Sequence, residues 1–103
     1  MLRITYNQNE KEISLAFSGR MDTMAVANLN ETIAAETVML ERKPEDKIVF
    51  DLQNVDYIAS SFIRICLVYA KQAGEGNFSI ANCQPFVKKI FKISGLDEAL
   101  NIK

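Results

Sequence analysis

The chain has 103 residues, with twelve Lys and Arg against thirteen Asp and Glu, no His, no Trp and two Cys. This length suits one domain, and because 49% of the residues are hydrophobic the chain can bury a core, which excludes the disordered class. The nearly balanced charge argues against nucleic acid or an anionic membrane surface as the main partner, since both call for a basic excess. Without histidine, Ser-His-Asp and Cys-His catalysis and the usual His-containing metal sites are excluded.

Two strands are predicted at the start of the chain. Leu2, Ile4 and Tyr6 alternate with polar residues, and the same alternation returns from residue 13 to residue 19. The polar stretch 7–11 between them (NQNEK) is typical of a turn. We therefore expect these strands to pair as a hairpin.

A first helix is predicted over residues 23–40. Its apolar side chains recur at helical spacing, so they fall on one face. They are Val26, Leu29, Ile33 and Leu40. Asp22 or Thr23 can cap its start, and the sequence Arg-Lys-Pro at 42–44 is expected to end it.

The middle of the chain predicts a buried strand followed by a buried helix. Residues 47–52 (KIVFDL) form a short apolar run, as expected of a strand covered on both faces. Residues 53–59 are then expected to form a loop, and Ser60-Ser61 to open a helix that runs over 62–73. Because that helix is apolar almost all round, it should lie in the core.

The last third continues the alternation of strands and helices. Residues 78–81 predict a strand, Pro85 opens a helix that Gly95 closes, and 101–103 form a candidate short strand. The order ββαβαβα requires right-handed crossovers between parallel neighbours. We therefore predict one α/β domain over residues 1–103, with a mixed β-sheet layered with about three α-helices.

Ser60 and Ser61 are the residues whose position suggests regulation. The first amide N–H groups of a helix have no partners inside it, and the helix dipole favours an anion there. A phosphate on one serine should leave the fold intact but could break an interface with a partner. The alternative is that the serines simply cap the helix.

Several short motifs in the right order resemble the STAS domain, the fold of bacterial anti-sigma factor antagonists. That family carries a strand ending in Asp-Leu, which matches Asp51-Leu52, and an Asp-Ser-Ser-Gly motif, on which Ala59-Ser60-Ser61-Phe62 falls. Residues 19–22 (GRMD) resemble its Gly-x-Leu-Asp before the first helix. Residues 85–91 and 94–96 resemble its closing helix and Ser-Gly-Leu end, so the likeness covers essentially the whole chain.

This resemblance implies a function and a set of site residues. In such antagonists a partner kinase, itself the anti-sigma factor, phosphorylates the second serine of the pair, and the unphosphorylated form binds that kinase and frees the sigma factor. By motif position the acceptor is Ser61, with Ser60 beside it, Asp22 and Asp51 around the site, and Met24 near it. The expected partner is thus an anti-sigma factor with serine kinase activity, and no metal or cofactor is implied.

Two departures from the motif keep a second interpretation open. Ala59 stands in place of the motif Asp, which removes a carboxylate that could orient the acceptor serine. Phe62 stands in place of the motif Gly, and we expect its large side chain where a partner backbone would approach. The alternative is a STAS subunit that binds without phosphorylation in a larger assembly, such as a transporter or signalling complex. An enzyme is disfavoured, because no cluster of carboxylates or activated nucleophile emerges from the spacing.

Three further features are weaker signals. Cys66 and Cys83 do not form a C-x-x-C pair and are expected to behave as small core residues. A disulfide between them is the alternative that the sequence does not decide. Lys88, Lys89 and Lys92 form a basic face that is either solvated or directed at an acidic partner. The first residues lack an apolar signal region and the longest apolar run is only 65–70, so we expect a cytoplasmic protein without membrane insertion.

Overall fold

A computed structural model describes residues 2–37 and 46–102. In chain order its elements are β1 (Leu2–Asn7), β2 (Glu12–Met21), α1 (Thr23–Val26), α2 (Leu29–Thr37), β3 (Lys47–Ile58), α3 (Ser60–Ala73), β4 (Phe78–Ala81) and α4 (Pro85–Ile93). The strands form one sheet in the order β1-β2-β3-β4, antiparallel between β1 and β2 and parallel elsewhere. The predicted hairpin and the mixed α/β class are confirmed.

Along β2 and β3 the sheet buries one of its two faces, whereas β4 is buried on both. Along β3, Ile48, Phe50 and Leu52 are buried, whereas Val49 and Asp51 between them are only half-buried. The expectation that residues 47–52 are covered on both faces is therefore wrong. The strand order explains the difference: both crossovers step in the same direction, and right-handed crossovers then place their helices on the same side of the sheet.

Aromatic rings form the centre of the core. The ring of Phe50 lies 4.9 Å from that of Phe17, 5.0 Å from that of Phe78 and 5.9 Å from that of Tyr69, measured between centroids. Phe62 meets Phe17 edge-on at 5.2 Å. Such tilted and edge-to-face pairs are favoured by the ring quadrupoles. Phe62 and Tyr69, both on α3, thus fix that helix on the sheet.

The strand β3 runs six residues further than predicted. The polar residues that follow Leu52 indicate a loop by composition, yet they pair with β2 up to Met21 and Ile58. Two register shifts, each with one extra residue in β3 opposite β2, accommodate this extension, and the Asp51 carboxylate accepts a hydrogen bond from the Gln53 amide at 3.0 Å. Gly19, at the second shift, has φ +91°, a conformation that glycine adopts without strain. The strand pair therefore ends where α1 and α3 begin.

The first predicted helix is divided in two. α1 stops at Val26, and Ala27 turns back with its amide donating to the Met24 carbonyl at 3.3 Å. The Asn28 carbonyl then accepts from the amide of Thr32 at 3.1 Å, which starts α2. Asparagine competes for local hydrogen bonds and so favours helix ends. The predicted end of this helix, including Leu40 and 42–44, lies outside the described residues.

The closing elements largely follow the prediction. α3 ends at Gly74, which has φ +91°, and Pro85 begins α4 at its first turn. The candidate last strand is reduced to one bridge between Ile102 and Ile80, and Lys103 lies outside the described residues. Among the described helices, none has the length and apolar character to cross a membrane.

Candidate functional site

The serine pair forms the first turn of α3. Ala59 is the N-cap, in an extended conformation, and no side chain caps the helix. The expectation that one serine caps the helix is therefore wrong: Ser60 and Ser61 are the first two helical residues. Among the described residues, no acceptor faces the amide N–H of either serine, so this turn keeps the unpaired donors that attract anions.

The two serines differ in exposure. Ser60 is exposed, whereas Ser61 is half-buried and its Oγ is enclosed without a hydrogen-bond partner. An unsatisfied buried hydroxyl destabilises a fold by roughly 1–3 kcal/mol. The Ser60 hydroxyl is accessible to another molecule as it stands. The Ser61 side chain has to rotate outward about its χ1 bond before its Oγ can be reached.

Asp22 positions the start of α1. Its Oδ1 accepts a hydrogen bond from the Ala25 amide at 2.9 Å, and its Oδ2 lies 3.7 Å from Arg20 Nε. The Arg20 guanidinium also stacks over the ring of Tyr57, 4.2 Å from its centroid. Met24, the second residue of α1, leaves 88% of its surface exposed. Asp22 is thus a helix cap beside an exposed apolar side chain.

One backbone hydrogen bond joins the two helix starts. The amide of Ala59 donates to the carbonyl of Met21 at 2.8 Å. It fixes the residue before the serines against the residue before Asp22. We call residues 22–24 and 59–61 together the serine rim. This rim combines the open start of α3, the start of α1 with its capping carboxylate, three hydroxyl side chains and an exposed methionine.

Two predicted site residues lie elsewhere. Phe62 is fully buried in the aromatic core, so its side chain does not meet an approaching partner, and the steric expectation for it is wrong. Asp51 pairs with Ala16, five β2 residues before Met21, which places it about 16 Å from the rim at roughly 3.3 Å per residue. Its carboxylate serves the β3 bulge instead.

The Arg20–Tyr57 pair is absent from the predicted site although it borders the rim. Arg20 forms an ion pair with Asp22, and Tyr57 lies two residues before Ala59. The pair depends on the register Arg20↔Tyr57 between β2 and β3. No local pattern carries this information, because the sequence predicts a loop over residues 53–59 and the register of a strand pair is not visible in one segment alone.

The chain matches the family model described as Mlab, STAS domain over residues 4–102. It belongs to the STAS domain family. The match runs through all eight elements and both halves of the serine rim.

Two relatives carry names that bear on this STAS domain. A protein named as a candidate anti-sigma factor antagonist, BtrV of Bordetella bronchiseptica, is 36% identical over 67 residues, which cover 63% of this chain and 58% of that relative. A STAS-domain containing protein of Pseudomonas aeruginosa is 32% identical over 94 residues, or 89% of this chain and 88% of its own. The domain is thus anti-sigma factor antagonist-like.

Solved structures confirm the fold of this STAS domain. The anti-sigma factor antagonist SpoIIAA in its unphosphorylated form aligns with a TM-score of 0.75 at 17% identity, covering 100% of this chain and 88% of that one. An anti-sigma-factor antagonist (STAS) domain protein from Planctomyces limnophilus aligns with a TM-score of 0.78 at 19% identity, covering 99% of this chain and 87% of that one.

The two thiols of the STAS domain are free. Cys66 is buried on α3, and Cys83 is half-buried after β4. Burial raises the pKa of the Cys66 thiol, with a smaller contribution from Cys83. Burial also raises the pKa of the Cys83 thiol to about 11, although Lys88 acts in the opposite direction. Both thiols are therefore protonated at neutral pH and are poor nucleophiles.

Proposed function

We propose that this chain, as one STAS domain over residues 1–103, is a cytoplasmic, non-enzymatic regulator of transcription. It binds an anti-sigma factor with serine kinase activity through the serine rim. Phosphorylation of Ser61 by that kinase ends the complex, and the unmodified form frees the sigma factor. The proposal rests on the anti-sigma factor antagonist-like relatives and on the arrangement of the rim.

One observation carries the proposal: the Ala59–Met21 hydrogen bond holds the open start of α3 against the start of α1. Met24 and Ser60 are both exposed and follow closely after the two ends of this bond, and Asp22 lies between the end of β2 and α1. An exposed methionine offers an adaptable apolar contact, and the free N–H groups offer directional ones. This combination suits a protein partner better than a small molecule.

The physics of a phosphate on Ser61 fits a switch. Attached to the second residue of α3, the phosphate meets unpaired N–H groups and the positive end of the helix dipole, so the fold tolerates it. In a complex, the same charge would be desolvated at the contact. An unpaired charge at an interface weakens binding by about 2–5 kcal/mol, which is tens- to thousands-fold in affinity.

A second candidate function is binding without a switch. Two observations favour it: Ser61 Oγ is enclosed, and Ala59 provides no carboxylate to orient a hydroxyl. In that case the rim contacts a partner in a larger assembly, and Ser61 stays unmodified. The two candidates share the surface and differ only in its chemistry.

Affinity purification of the tagged protein from its native cells separates these functions. The intact mass is recorded together with the co-purifying chains, and any added phosphoryl group is mapped by fragmentation. A phosphoryl group on Ser61, with a kinase-like partner on the unmodified form alone, supports the switch. An unmodified protein with a stable partner supports unswitched binding. No partner, or a partner whose binding is unchanged by Met24→Ser, contradicts the proposed surface.

Two alanine variants make a matched pair in the same preparation. Ser61→Ala should abolish the modification and retain the partner, whereas Ser60→Ala should leave both unchanged. Modification that persists in Ser61→Ala and disappears in Ser60→Ala would move the acceptor to the exposed serine. Such a result would contradict the assignment of Ser61.

A further inference from the structure

A second surface, separate from the serine rim, lies on α4. Phe86 leaves 58% and Ile93 leaves 76% of its surface exposed, and Ile90 between them is half-buried. These three residues are spaced i, i+4 and i+7, so they form one stripe along the helix. Val87 and Phe91 hold the inner face of the helix in the core. Neighbouring exposed apolar residues on one helix face are typical of a contact surface, unlike single ones.

The same helix is strongly basic. Lys88, Lys89 and Lys92 are all exposed, and α4 contains no acidic residue. Lys89 lies three residues from Phe86 and four from Ile93, which makes it the direct neighbour of both on the helix surface. In the part of the chain that the structure describes, none of the three lysines has a carboxylate within ion-pair distance. The apolar stripe is thus bordered by unpaired positive charge.

The residue that precedes α4 is attached to β3 at a point several residues before the rim. The side-chain amide of Gln84, just before α4, donates to the carbonyl of Gln53 at 2.9 Å. The rim begins at Ala59, after five further strand residues, and strand residues advance about 3.3 Å each. A ligand of α4 therefore does not require the serine pair.

We propose that the exposed stripe of α4 binds an acidic, apolar segment of a partner protein, such as the face of an amphipathic helix. Phe86 and Ile93 supply the apolar anchors, and Lys89 pairs with the acidic side chains that border the partner's apolar face. An aromatic anchor ringed by complementary charge is the arrangement that gives interfaces both affinity and orientation. This inference is independent of the proposed function of the rim.

The distribution of charge favours an acidic protein segment over a second copy of the chain or an anionic membrane as the ligand of α4. In a symmetric pair of copies each surface meets itself, so the lysines of two α4 helices would face one another, which is unfavourable. An anionic membrane attracts proteins through a basic excess, whereas this chain carries a formal net charge of −1. A local basic helix on a slightly acidic protein is better matched to a local acidic segment.

The test uses a defined probe. A fluorescently labelled 18-residue amphipathic peptide, with Leu recurring at positions i, i+3, i+4 and i+7, Glu only at the positions that border the Leu face and Ala elsewhere, is titrated with the full chain and followed by anisotropy. We expect saturable binding that weakens as the salt concentration rises. In NMR spectra of the labelled protein, the backbone amide chemical-shift changes should be concentrated on α4. Phe86→Ser and Lys89→Glu should each weaken binding by at least about tenfold. A peptide with Lys in place of Glu should not bind.

Matched controls lie on α3, which also exposes an apolar residue and a lysine. Val68→Ser and Lys71→Glu should bind the peptide like the unmodified chain, and thermal unfolding verifies that every variant is folded. Absence of saturable binding, or equal loss in the α3 variants, overturns the proposal. So does self-association that Phe86→Ser abolishes, or co-sedimentation with phosphatidylglycerol vesicles that Phe86→Ser abolishes. None of these outcomes bears on Ser61.

Discussion

The first three residues of α3 range from exposed to fully buried. Ser60 is exposed, the Ser61 hydroxyl is enclosed without a partner, and Phe62 is fully buried against the sheet. On the inner side, Phe62 meets Phe17 edge-on at 5.2 Å. On the outer side, the same turn of helix carries unpaired N–H groups and the exposed side chain of Ser60. One helical turn thus divides between a side that holds the fold and a side available for binding.

The difference shows how this chain departs from the motif of its family without losing the fold. The residue that replaces the motif glycine points into the core, so it strengthens the inner side and leaves the outer side unobstructed. Substitutions on the two sides should therefore separate cleanly into effects on stability and effects on binding. The following predictions test that separation, beginning with the largest.

Phe62→Ala should destabilise the protein by about 3–5 kcal/mol, because it removes a fully buried ring and leaves a cavity among the aromatic side chains. Urea unfolding measures the effect. Phe86→Ala is the matched control, since its ring is largely exposed, and should change stability by less than about 1 kcal/mol. Equal effects would contradict the assignment of Phe62 to the core.

Asp22→Ala should lower the free energy of unfolding by about 1 kcal/mol, because the Ala25 amide loses its capping carboxylate. Asp56→Ala removes an exposed carboxylate from β3 and should have an effect within about 0.5 kcal/mol. If the two variants unfold at the same urea concentration, the cap contributes nothing and Asp22 belongs to the partner surface alone.

Ser61→Ala should leave stability unchanged or raise it by up to about 1 kcal/mol, because it removes a buried hydroxyl without a hydrogen-bond partner. The exposed hydroxyl of Ser60 makes Ser60→Ala the control, with a change within about 0.5 kcal/mol. A clear loss of stability in Ser61→Ala alone would mean that its hydroxyl has a partner in solution.

The thiols predict a loss of stability in alkali. Because burial raises the pKa of Cys83 from its ordinary value of 9.0 to about 11, the unfolded chain releases this proton first. The stabilisation is therefore complete below pH 9 and declines as the pH rises towards 11. Between those values the unmodified protein should lose stability relative to Cys83→Ala. Parallel stability curves for the two proteins would contradict the burial of this thiol.

The sequence was sufficient for the element order and most of the core. Period-2 alternation identified the hairpin, and the glycine and proline positions identified the ends of the last two helices. It failed where tertiary pairing overrides local composition. The residues after Leu52 belong to a strand because β3 stays paired with β2 through two register shifts, and the helix break near Asn28 depends on local hydrogen bonds.

Only the part of the site that its sequence motifs contain could be predicted. Ser60, Ser61 and Asp22 lie together because the two motifs follow paired strand ends, which the family resemblance already implied. The burial of Ser61 Oγ and the stacking of Arg20 on Tyr57 depend on side-chain directions and strand register. Those properties are set by the whole fold, so no local pattern reveals them.

The most direct test of the switch is the affinity of the co-purified anti-sigma factor for variants at one position. Ser61→Ala should bind like the unmodified protein, and Ser61→Glu should bind tens- to thousands-fold more weakly. Glutamine has the size of glutamate without its charge, so Ser61→Gln should lower the affinity far less than Ser61→Glu. If Ser61→Glu binds as tightly as Ser61→Ala, or if Ser61→Gln loses as much as Ser61→Glu, charge at the serine rim does not control the complex and the account is contradicted.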